Sequence, residues 1–141
     1  LAGLLRITDA AVLGIHALAL IGRAEDPTRV TQMAKALRAS EAHLSKVLQR
    51  LARAGMVKSI RGPKGGFFLA RNAEEVSLLE VFEALDGPVA GETCLLSRPA
   101  CSEPGACAVR LLNAEIHTLV HKRLGSLYLS DFDLSDLVER T

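Results

Sequence analysis

Six residues, Arg61-Gly62-Pro63-Lys64-Gly65-Gly66, separate two short apolar-rich runs, Met56-Val57-Lys58-Ser59-Ile60 and Phe67-Phe68-Leu69-Ala70. Short runs around a Gly/Pro turn predict a β-hairpin. The hairpin follows directly on an amphipathic stretch over 41–53, where Leu44, Val47, Leu48 and Leu51 recur at helical spacing. Ser40 stands at its N-cap position and Gly55 just past its end. Upstream, Arg38-Ala39 predicts a tight turn, and residues 31–37 a short helix with Met33, Ala34 and Leu37 on one face, capped by Thr31 or Thr28. A short helix, a tight turn, a longer helix and a hairpin in that order are the pattern of a helix-turn-helix with a wing. Lys46, His43, Arg50 and Arg53 fall on the outward face of the second helix, and Arg61 and Lys64 at the hairpin tip. The tip glycines allow close approach to a phosphate backbone. They do not read as a nucleotide cradle, because they join two strands and open no helix.

The remaining elements assemble around this unit. Residues 7–22 are apolar nearly all round and predict a buried helix with Thr8 as N-cap. Residues 77–85 predict a third amphipathic helix with a capping box in Ser77 and Glu80, stopped by Asp86-Gly87-Pro88. Residues 108–129 read as one helix with a stripe of Val109, Leu112, Ile116, Leu119 or Val120, Leu124 and Leu127. Twenty-two residues would span about 33 Å, more than a small body needs, so part of the stripe is expected to pair with a second copy. Residues 134–139 suggest a last helical turn. The fold class is therefore mainly α: a winged helix-turn-helix DNA-binding domain over 1–87, a cysteine-rich loop over 88–107, and a long dimerisation helix with a C-terminal turn over 108–141. The longest apolar stretch, residues 10–22, is too short for a membrane span. No basic leader with a cleavage site opens the sequence, so a cytoplasmic location is expected.

Charge is divided unevenly. The net value of +1 for 141 residues hides a basic half, 1–71, with twelve bases against four acids, and an acidic half, 72–141, with five bases against twelve acids. A half at +8 joined to a half at −7 points to a polyanion-binding part and a part that stays off the polyanion. No nucleophile–base pair and no phosphate loop stands out, which argues against an enzyme. The three cysteines, Cys94, Cys101 and Cys107, lie within 14 residues in a Pro/Gly-containing stretch. An odd number argues against a disulfide framework, and clustering argues against scattered core thiols. A soft-metal or iron–sulfur site is the natural reading. His117 and His121 have a zinc-compatible i, i+4 spacing but no obvious third ligand, and read as solvated helix histidines.

The stretch Leu51-Ala52-Arg53-Ala54-Gly55-Met56-Val57 through Arg61-Gly62-Pro63-Lys64-Gly65-Gly66, the cysteine trio and the long helix together resemble the winged-helix transcription factor family of the iron–sulfur cluster regulator IscR and the nitric-oxide sensor NsrR. The resemblance runs from about residue 5 to about residue 138. It implies a homodimer on a palindromic operator in double-stranded DNA, a repressor by expectation, responding to a cluster held by Cys94, Cys101 and Cys107. In the family the second motif helix enters the major groove and the wing a flanking minor groove. Carried onto this sequence, His43 and Lys46 would reach base edges, with Ser40 and Ala42 beside them at the helix start. Arg61 and Lys64 would serve the minor groove or phosphates, and Thr31 and Arg50 the backbone. Arg53 reads better as solvated. The IscR branch takes a fourth ligand from a His three residues after the last Cys, where this sequence has Arg110. The NsrR branch uses a carboxylate near the N-terminus of the other subunit, and Ile7-Thr8-Asp9 matches it. Asp9 is thus the candidate fourth ligand, favouring a 4Fe–4S cluster, with 2Fe–2S also compatible. A helix-start acid stabilised by the dipole is the alternative role for Asp9. Other readings of the cysteines are a metal-free thiol/disulfide sensor and a zinc site using the same four residues. A reading of another class is a winged-helix protein-interaction module.

Overall fold

The computed structural model describes residues 6–89 and 107–132. The long apolar helix forms as α1, Asp9–Arg23, and its sequence explains its place. Apolar residues on almost every face let it run through the centre, with Ala11, Ile15, Leu18 and Ile21 buried. Thr8 caps it, its hydroxyl accepting from Ala11 N at 3.2 Å. The next helix, α2, is Val30–Leu37, and neither Thr31 nor Thr28 caps it. The cap position belongs to Arg29, whose backbone N–H donates to Gln32 Oε1 at 2.9 Å. Thr28 is committed elsewhere, in a backbone bridge to the hairpin. Arg38 takes a left-handed conformation with φ 51° and turns the chain. Ser40 then caps α3, Glu41–Arg53, accepting from His43 N. Leu44, Val47, Leu48 and Leu51 face inward as expected.

Gly55 ends this unit at φ 75°, and the hairpin follows as β1, Val57–Ile60, and β2, Gly66–Leu69. The strands are antiparallel with Val57 opposite Leu69 and Ile60 opposite Gly66. A 3₁₀ turn over Ala73–Glu75 leads to α4, Leu78–Asp86, whose Ser77/Glu80 capping box forms as read.

The last helix, α5, is Ala108–Gly125, shorter than the expected 108–129. At about 27 Å it stops because the following residues pair with the body instead. Leu78 N donates to Leu127 O at 2.8 Å, and Leu129 N to Val76 O at 3.0 Å. Leu129 opens a second 3₁₀ turn, Leu129–Asp131, and enters the same core as α1, α3 and α4. The expected turn over 134–139 lies outside the described residues. Among the described residues no helix is long and apolar enough to cross a membrane.

Candidate nucleic-acid interface

Local sequence dictates which side chains α3 leaves outside. Its four apolar residues occupy one stripe, so Glu41, Ala42, His43, Lys46 and Arg50 are exposed. Ser40 at the cap is exposed too, although its Oγ already accepts from His43 N at 3.4 Å. His43 Nδ1 lies 4.0 Å from Asp9 Oδ2 on the first turn of α1. Thr31, on the first turn of α2, is exposed, as are Arg61 and Lys64 on the hairpin loop.

Two contacts anchor the hairpin, and both come from the loop before α2. Thr28 and Phe67 exchange backbone N–H···O bonds of 2.8 Å each. Arg29 donates from Nη2 to the carbonyl of Pro63, inside the six-residue turn. The tip that carries Arg61 and Lys64 is therefore fixed relative to the helix-turn-helix. Nothing in the sequence marks Arg29 for this role. A tie between residues 34 positions apart leaves no local signal.

Arg50 is the second departure. Its guanidinium donates to the carbonyl of Leu85, in the last turn of α4, rather than standing outward alone. The third is Arg71, counted above in the basic half. It pairs with Glu80 at 2.8 Å and also donates to Glu75 O at 2.7 Å. The Arg71 hydrogen bond, aided by the Ser77 backbone N–H, holds the Glu80 carboxyl below its ordinary range; Glu80 in turn raises Arg71.

Of the cysteine set, Cys94 and Cys101 lie outside the described residues. Cys107 is the N-cap of α5, half-buried, with a free thiol. Asp9 is the first residue of α1, and its side chain is 88% exposed. Among the described residues no three His, Cys, Asp or Glu side chains gather into a metal-holding group. His121 is exposed, but His117 departs from the solvated reading. It is half-buried, and its Nδ1 is enclosed with no hydrogen-bond partner.

The stripe on α5 is bare in part. Val109, Leu112 and Leu119 are 53%, 51% and 63% exposed, while the buried residue of the helix is Asn113.

Residues 7–134 match the family model Rrf2, described as an iron-dependent transcriptional regulator. A candidate rrf2-like HTH-type transcriptional regulator of Rhodobacter capsulatus is 37% identical over 94 residues, 62% of this chain and 62% of its own length. The HTH-type transcriptional regulator IscR of Xenorhabdus nematophila is 28% identical over 107 residues, 76% of this chain and 65% of its own. The chain thus spans less than two thirds of either relative. The structure of CymR, the global cysteine regulator of Bacillus subtilis, superposes with a TM-score of 0.77 at 27% identity. That match covers 97% of this chain and 98% of CymR.

Proposed function

The chain belongs to the Rrf2 family of transcriptional regulators, and from that premise we propose that it is a sequence-specific repressor that binds a palindromic operator as a homodimer. The observation that carries this reading is the pairing of an exposed reading helix with a fixed basic wing. Ser40, Ala42, His43 and Lys46 are exposed on α3, and Arg61 and Lys64 stand on a hairpin tied to residues 28 and 29. His43 and Lys46 address base edges, Arg61 and Lys64 the minor groove or phosphates, and Thr31 a backbone phosphate. The wing's ties matter because a mobile tip would lose more entropy on binding. The exposed stripe of α5 supports pairing of two copies, and DNA reading implies work in the cytoplasm.

Cys94, Cys101 and Cys107 would hold an iron–sulfur cluster, 4Fe–4S in preference to 2Fe–2S, with Asp9 of a second copy as fourth ligand. The donor chemistry supports this: three soft thiolates suit iron–sulfur binding, and the exposed Asp9 carboxylate is accessible to a partner. Such a group would make the protein responsive to redox state, nitric oxide or iron–sulfur supply.

The test has two arms. A duplex selected from a random library by the purified protein is titrated at several salt concentrations. Lys46→Ala and Arg61→Ala are expected to weaken binding, Arg61→Ala with a smaller salt slope by about 1 if it meets a phosphate. Absence of any selected duplex overturns the DNA reading. Separately, anaerobic purification with iron and sulfide analysis should yield about four of each per chain. Colourless, iron-free protein after reconstitution overturns the cluster and turns attention to zinc content and to disulfides among the three cysteines.

A further inference from the structure

Helix α3 is tied at its end, and comes close at its start, to groups outside the helix-turn-helix. Near its start, His43 Nδ1 lies 4.0 Å from Asp9 Oδ2 at the start of α1. In its last turn, Arg50 donates to the carbonyl of Leu85 at the end of α4. The two anchor points are themselves joined. Asp86 accepts from the Thr8 backbone N–H at 3.0 Å and from the Thr8 hydroxyl. The hydrogen bonds therefore run from α1 through Thr8 and Asp86 to α4, and from α4 through Leu85 and Arg50 to α3, while the starts of α3 and α1 lie near each other at His43 and Asp9.

The chemistry of the two hydrogen-bonded links is sound. Leu85 lies in the last turn of α4, where carbonyls lack an intrahelical partner. A guanidinium there satisfies one and complements the helix dipole. Asp86, one residue on, accepts two donors from the capping residue of α1.

These ties refine what the core sets only coarsely. The inward face of α3 is Leu44, Val47, Leu48 and Leu51, and apolar contact is non-directional. Ridge-and-groove packing of such a face sets the tilt of a helix within a scatter of about 15–20°. Base-edge hydrogen bonds need that tilt fixed, whereas phosphate contacts are far more tolerant. Resting on the DNA-binding reading above, we infer that Arg50 and Asp86 are positioning residues for recognition. They set the angle at which α3 presents Ser40, His43 and Lys46, and touch no DNA themselves.

The inference makes affinity and discrimination part company. Removing the Asp86 carboxylate removes a negative charge, which by electrostatics alone raises affinity for any duplex. Loss of positioning instead lowers the ratio of binding to the library-selected duplex over its scrambled counterpart. The experiment measures that ratio and the salt slope for wild type, Asp86→Ala, Arg50→Gln and Arg50→Lys, with folding checked by thermal melts. Asp86→Ala and Arg50→Gln are expected to cut the ratio about tenfold, a scale typical of one lost base contact. Arg50→Lys, which keeps a cation and a donor, should recover part of it. A fall in affinity for both duplexes alike, with a salt slope lower by about 1 in Arg50→Gln, marks Arg50 as a phosphate contact and overturns the inference. So does an unchanged ratio. If Arg50→Gln or Asp86→Ala does not fold, Arg50→Lys and Asp86→Asn carry the test, with smaller losses expected and unchanged ratios overturning it. A wild type that does not discriminate the two duplexes fails the DNA reading itself, before any variant is compared.

Discussion

The Glu80 carboxylate accepts from the Ser77 backbone N–H at 2.9 Å at the start of α4 and binds the Arg71 guanidinium at 2.8 Å. Both contacts favour the ionised form, and together they outweigh the desolvation that opposes it. A carboxyl held lower in the folded chain than in the unfolded one stabilises the fold above its unfolded value, about 4.3. That contribution is lost as pH falls through the lowered folded value. Glu80→Gln keeps an acceptor for the cap and loses the charge. Melting curves of the two proteins should differ most near neutral pH and converge as the medium is acidified through that window. A gap of constant size across the range would show that the charge contributes nothing. The effect should be modest, since both partners are about two-fifths exposed and solvent screens the pair. The same pairing removes Arg71 from the stock of bases free to meet DNA, so Arg71→Gln should leave the salt slope of duplex binding unchanged.

At the scale of the element, the wing depends on a close approach at Gly66. A Cβ there would lie 2.8 Å from the carbonyl carbon and oxygen of Thr28 and 2.9 Å from the carbonyl carbon of Pro27. These are backbone atoms and cannot rotate aside. Gly66→Ala should therefore push β2 off the loop before α2, at a cost of about 1–3 kcal/mol. The hairpin would become sensitive to limited proteolysis and duplex affinity would fall, while the helical circular dichroism stays. Intact resistance to protease would mean the hairpin does not need that approach. Helix α3, the hairpin and α4 are all legible in the sequence, because their signals sit within a few residues: Ser40 before Leu44, Gly55 before Met56, Ser77 before Glu80. What is not legible is set by distant partners. The end of α5 is decided by the pairing of residues 127 and 129 with 78 and 76, not by helix propensity. In sequence Arg29 and Arg71 are simply bases of the basic half, and Arg50 is an outward candidate for the DNA backbone. Only the fold brings Pro63, Leu85 and Glu80 to them. The candidate DNA contacts are legible as outward positions on a helix and a turn, but the ties through Asp86 and Arg50 that aim them are not.

At the scale of the whole molecule, α5 is held through its last turn and the buried Asn113, and its apolar residues are only partly covered. Leu124, Leu127 and Leu129 pack with the core, whereas Val109 and Leu112 near its start are about half exposed. With Ile116 and Leu119 they form an apolar row at i, i+3, i+7 and i+10, the spacing of a helix–helix seam. Leaving such a row in water is unfavourable by roughly 25 cal/mol per Å² of apolar surface that a second copy could cover. Because these side chains lie outside the core of the single chain, charging them tests association without disturbing folding. If the proposed dimer forms through this row, the double variant Leu112→Glu, Leu119→Glu should be monomeric in sedimentation where wild type is dimeric, and leave its monomer stability within about 0.5 kcal/mol, as for exposed sites elsewhere. Binding to a palindromic duplex should then weaken by about a hundredfold or more, because the second half-site is no longer met at the high effective concentration that linkage confers. Binding to a single half-site should change far less. A double variant that stays dimeric would place the seam on another face, and one that turns monomeric yet keeps full affinity for the palindrome would show that each half-site is read alone.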